Sequence, residues 1–146
     1  MVLSRGSKDG IKEGMGVIDP NFSVVGIVTE VNQQYAVVMS LLHKDSHISG
    51  KLQKTGETGT LSWDGEMPNI ITLNGIPKSA KINKGDTIIS SGFSTALPKG
   101  IKIGNVEEVF KEKSTNFFKV KFRTSANFYN LQYVYVIDNE IGRAHV

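Results

Sequence analysis

Short runs in which apolar and polar residues alternate, each cut off by Gly, Asn, Asp or Pro, fill the chain. Residues 24–31 (VVGIVTEV), 35–42 (YAVVMSLL), 50–56, 58–63, 69–74, 86–92, 101–110, 116–124 and 133–138 carry the period-two pattern of strands. No window sustains a 3.6-residue apolar stripe over about ten residues. At most SANFYNL (125–131) offers a single helical turn, with Ser125 as its cap. Many short strands at near-regular spacing predict an all-β protein of the barrel or sandwich kind.

One segment occurs twice. IKEGMGVI (11–18) and INKGDTII (82–89) align without gaps, Gly14 on Gly85, Val17 on Ile88 and Ile18 on Ile89. Past that strand GIVTEV (26–31) matches GNVEEV (104–109), and each copy then reaches an aromatic-containing strand. Glycines at matching places suit turns of positive φ and barrel corners. The pattern predicts two small tandem antiparallel β-barrel subdomains packed together. The join falls where the pattern loosens, at SWDGEMPN (62–69), because Trp63-Asp64-Gly65 reads as a turn and Pro68 resists a ladder. Residues 1–66 then form the first barrel, 67–139 the second and 140–146 a tail. Halves this small have little core of their own, so they are expected to lean on each other, with the crossing of a strand between them left open.

Composition narrows the function. A chain of 146 residues, 39% hydrophobic and 21% charged, reads as ordinary globular protein. It lacks the run of about 18 apolar residues that spans a membrane. Met1 to Gly6 turn polar at once, without the apolar region of a signal peptide, a beginning expected of a domain excised from a longer protein. No cysteine is present, which removes disulfides, thiolate metal sites and cysteine nucleophiles. A net charge of +3 is too small to imply an acidic partner.

Candidate chemistry is sparse. HKDSH (43–47) spaces His43 and His47 as a helical metal pair would, but it joins two strands and reads as a polar hairpin loop. Tandem barrels also occur in chymotrypsin-like proteases. However, the serines of SSGFS (90–94) and HISGK (47–51) lack the surroundings of a nucleophile with backbone oxyanion donors. The glycines of GSKDGIKEGMG precede a strand and no helix N-terminus, and Glu107 and Glu108 are expected on opposite faces of one strand. In NFFKVKFRT, Phe117, Lys119, Lys121 and Arg123 share an outward face of the kind small barrels use for single-stranded nucleic acid. Glu107, Glu108 and Glu112 would partly neutralise it. Neither cofactor nor metal is expected, and no catalytic residue.

What remains suits protein contact. In the closing strand Tyr133, Tyr135 and Ile137 share one face and Val134 and Val136 the other. Two apolar faces mean that one fills a barrel and the other meets something else, the second barrel or another protein.

RGSKDGIKEGMGVI, VVGIVTEV, TGETGTLSWDG and above all KGDTIISSGFSTALPKGIKIGNVEEV resemble the periplasmic region of the MreC family of rod shape-determining proteins, as does SANFYNLQYVYVI. The resemblance runs from residue 4 to 138 and leaves out EIGRAHV (140–146). It implies two β-barrel subdomains and no enzymatic activity. It also implies a periplasmic scaffold of the cell-elongation machinery that organises peptidoglycan synthesis. The implied partners are a second copy in dimers or filaments, the elongation-specific penicillin-binding transpeptidase, and MreD with the MreB-linked membrane complex. The membrane would be reached only through an N-terminal helix that this chain lacks, and nucleic acid is no expected partner. The expected self-contact is Tyr133, Tyr135 and Ile137. The expected partner contact is the loop apex at Asn21 and Phe22, where an aromatic follows Asp19-Pro20 without a core role. A small-barrel oligonucleotide-binding module and a degenerate chymotrypsin-like hydrolase are the alternatives.

Overall fold

In the computed structural model, which describes residues 1–46, 48–92, 97–111, 113–128 and 130–138, the alternating runs become strands. They are β1 (Val2–Leu3), β2 (Gly16–Ile18), β3 (Val24–Val31), β4 (Ala36–Ser40), β5 (Ser49–Leu52) and β6 (Thr58–Ser62), followed by β7 (Ile70–Pro77), β8 (Thr87–Ser90), β9 (Lys102–Lys111), β10 (Phe117–Thr124) and β11 (Tyr135–Ile137). A five-stranded sheet runs β1-β4-β3-β2-β11, and a closed barrel runs β10-β7-β6-β5-β8-β9, every pair antiparallel. The helical turn expected within 125–131 is absent from its described residues. There Ala126 is buried under the sheet and Phe128 packs against both cores, so tertiary burial overrides the local cap signal.

The repeat read in the sequence is a repeat of geometry. Gly14 and Gly85 both take a left-handed φ, 88° and 93°. Each donates its amide at 2.8 Å to the matching strand, to Val28 O and Val106 O, and the amides of Val28 and Val106 bond back to Met15 O and Asp86 O at 2.8 Å. A bulge interrupts β2–β3 between Val17 and Ile18, and another interrupts β8–β9 between Ile88 and Ile89. The β3–β4 ladder skips Thr29, and the β9–β10 ladder skips Glu107 at the matching place. A Cβ on Gly26 would lie 2.2 Å from Met39 O, and one on Gly104 would lie 2.2 Å from Arg123 O. Bulges are built features rather than accidents, and these pairs coincide in position and partner. The unit β2–β3–β4 was used twice.

The copies also exchange a strand. Lys51 of β5 faces Ile89 and Leu52 faces Ile88, as Tyr135 of β11 faces Ile18 and Val136 faces Val17. Thus β5 follows the first copy in sequence but pairs in the second copy's barrel, and β11 follows the second copy but pairs in the first copy's sheet. The expected division at 66/67 therefore parts the two copies along the chain but not the two sheets. Residues 49–62 lie in the barrel, and 135–137 lie in the sheet with the N-terminal strands. One barrel closes; the other unit is an open sheet among the described residues, where β6, which closes the barrel between β5 and β7, has no counterpart.

Phe122, Leu61, Leu73 and Ile103 fill the barrel, and Val17, Val25, Val28 and Val38 line the inner side of the sheet. The other side of the sheet packs on the barrel through Val24, Leu41 and the half-buried Ile27. A parallel bridge between Ser23 and Lys102 ties the two units at that seam. With both its faces covered, β3 reads VVGIV, nearly continuous in apolar residues.

Candidate protein-contact surface

The β2–β3 connection is a tight turn organised by one buried carboxylate. Asp19 Oδ1 accepts the amides of Asn21 at 2.9 Å and Ser23 at 2.8 Å, and Asp19 O accepts the amide of Phe22 at 3.0 Å. Asx side chains do this where a chain must reverse. The turn holds Phe22 at φ 61°, a left-handed conformation that a bulky residue adopts only under constraint. The residue is 68% exposed. A strained backbone that displays an aromatic to water marks that side chain as more than filler.

The register carries β11 to the same place. Tyr135 faces Ile18 across the ladder, so Tyr133, two residues earlier, lies beside the turn that follows Ile18. Asn21 and Tyr133 line one cleft of about 340 Å³, together with Asp19 and Pro20 of the turn and Asn130 and Gln132 of the segment before β11. Tyr133 and Tyr135 are 73% and 55% exposed. Two regions far apart in sequence thus form one surface, which carries no charge from Leu131 to Ile137. Ile137 departs from the expectation: although on the strand face of the two tyrosines, it is half-buried against the barrel core. The face is divided, its far end sealing the two units together and its near end open to water.

The other candidates resolve differently. Asp45 donates its amide to His43 Nδ1 at 3.0 Å within an exposed loop, and His47 lies outside the described residues. Among the described residues no three His, Asp or Glu side chains are grouped to hold a metal. Ser90 Oγ donates to Pro98 O at 2.6 Å and accepts the Ile101 amide, and Ser91 Oγ donates to Ser49 Oγ at 2.9 Å, so both hydroxyls brace loops. Phe93, Ser94, Glu112 and the tail 140–146 lie outside the described residues. On the barrel's outer face Arg123 Nε donates to Glu107 Oε1 at 2.9 Å. Lys121 Nζ lies 4.0 Å from Asp64 Oδ2 and 5.6 Å from the centre of the Phe110 ring. Glu107 and Glu108, expected on opposite faces, line the same outer cleft with Lys121 and Arg123, because the bulge at Glu107 resets the alternation. Acidic neighbours thus interrupt the cationic stripe that suggested nucleic acid.

The barrel core of the rod shape-determining protein MreC matches residues 1–138. The cell shape-determining protein MreC of Listeria monocytogenes is 29% identical over 138 residues, covering 92% of this chain and 46% of the relative, so this chain spans under half of that protein's length. The crystal structure of MreC from Pseudomonas aeruginosa superposes with a TM-score of 0.85 at 26% identity, over 93% of this chain and 86% of that one. The fold is also that of MreC in the complex between penicillin-binding protein PBP2 and MreC from Helicobacter pylori, with a TM-score of 0.69 and 19% identity over 89% of this chain and 82% of that one. The chain belongs to the MreC family of rod shape-determining proteins, of which it is the barrel core.

Proposed function

We propose that this domain works without catalysis, as an extracytoplasmic scaffold of cell-wall elongation that holds a penicillin-binding transpeptidase through the Phe22–Tyr133–Tyr135 surface. The observation that carries the proposal is that three exposed aromatics, one of them on strained backbone, lie on two segments, the β2–β3 turn and β11, that meet where Asn21 and Tyr133 line one cleft. Exposed aromatics that anchor in a partner are the usual source of interface affinity. A complex with a penicillin-binding protein is known for a protein of this fold. Self-association, and links to MreD and the MreB-bound membrane complex through segments outside this chain, complete the scaffold.

The test is a biosensor titration against the extracytoplasmic part of the elongation transpeptidase from the same organism, at low and high salt. Saturable binding that survives high salt is expected, because the exposed anchors are aromatic and residues 131–137 carry no charge. Absence of saturable binding at either salt, or binding that collapses as salt rises, refutes the proposal.

A further inference from the structure

Among the described residues, the two copies differ beside the exchanged strands. In the barrel, Leu52 turns its backbone away from β8: its N–H donates to Glu57 O at 2.9 Å and its C=O accepts the Gly56 amide at 2.8 Å. Beyond that turn β6 lies along β5, Gly50 opposite Gly59 and Lys51 opposite Thr58, and Leu61 donates its amide to Ile48 O. On its far side β6 pairs with β7, with Leu61 opposite Leu73.

In the sheet Val136 holds the place of Leu52, and Val134 that of Gly50, by the shared register. Their amides and carbonyls therefore face away from β2, and among the described residues β11 has no second strand partner. The counterpart of β7 is present as β1, where Leu3 faces Ala36 as Leu73 faces Val120. Leu131, Val134, Val136 and Leu3 are half-buried around the sheet's core rather than sealed. The edge has neither charge nor proline, the common protections of a free strand.

We infer that the edge of β11 is a strand-addition site for an extended, uncharged segment of a partner protein. The segment lies antiparallel to β11, between it and β1, where β6 lies in the barrel. It sets a side chain smaller than Leu61 over Leu3 and beside Val134, because Val134 stands where Gly50 leaves room for Leu61 in the barrel, and Tyr133 and Tyr135 flank it outside. The edge of a second folded copy, backed by its own sheet, can meet β11 but cannot enter between β11 and β1; a free extended segment can. The identity of the partner as the transpeptidase rests on the function proposed above.

Amide hydrogen exchange of the whole chain, free and saturated with the extracytoplasmic part of the transpeptidase, tests this. The Val134 and Val136 amides are expected to exchange freely in the unbound chain at every concentration, and at least about tenfold more slowly in the complex. Val136→Pro removes an outward donor at an edge that tolerates proline. It is expected to lower the melting temperature no more than Val136→Ala does, and to lose about tenfold more affinity than Val136→Ala. Binding without protection at Val134 and Val136 overturns strand addition and leaves the transpeptidase reading intact; no binding overturns both. Protection already present in the free chain also overturns the inference. If it fades on dilution, a second copy holds the edge; if it persists, the chain's own residues do.

Discussion

Phe22 is held at φ 61° although glycine would occupy that turn without strain. Phe22→Gly is therefore expected to leave stability unchanged or raise it by up to about 1 kcal/mol in denaturant melts, while binding to the transpeptidase weakens about tenfold or more. Destabilisation by the substitution would mean that the ring packs on its own protein. Gly26 and Gly104 make the opposite case, since a methyl group on either meets a carbonyl oxygen of the next strand. Alanine at each is expected to cost about 3 kcal/mol or more, by similar amounts in the two copies. The glycines and exposed aromatics were legible in the sequence because each breaks the local pattern. Two residue-level features were not. The sealing of Ile137 against the barrel depends on a contact between units, and the shared face of Glu107 and Glu108 depends on a bulge that strict alternation cannot anticipate.

At the scale of elements, most strands announced themselves through period-two runs, and the repeat of 11–18 at 82–89 marked the duplicated unit. The exchange of β5 and β11 left no mark, because a strand's pattern states which of its faces is buried and not which sheet receives it. β1 escaped notice as a two-residue strand with no pattern to read. The exchange makes a quantitative prediction. Leu52 is fully buried beneath a strand with a neighbour on either side, whereas its counterpart Val136 is half-buried at an edge. Leu52→Ala is expected to cost about 2–5 kcal/mol, and Val136→Ala about 1 kcal/mol or less. Equal costs in thermal or urea melts would contradict the unequal cover of the two strands.

For the whole molecule, a closed barrel and an open sheet pack along an apolar seam, and the end of the sheet away from it carries the aromatics. The hydroxyls of Ser90 and Ser91 are committed to Pro98 and Ser49, so a fluorophosphonate probe is expected to leave both unlabelled; covalent labelling of either would revive the hydrolase alternative. In the proposed function the aromatic end of the sheet, and not the cationic face of the barrel, receives the transpeptidase. The direct measurement is a titration of four chains against that partner: wild type, Phe22→Gly, Tyr133→Ala, and the barrel-face double variant Lys119→Glu with Lys121→Glu. Phe22→Gly and Tyr133→Ala should each weaken binding about tenfold or more while the barrel-face variant binds like the wild type. Undiminished binding by both aromatic variants, or a loss confined to the lysine variant, would rule out the aromatic end as the contact.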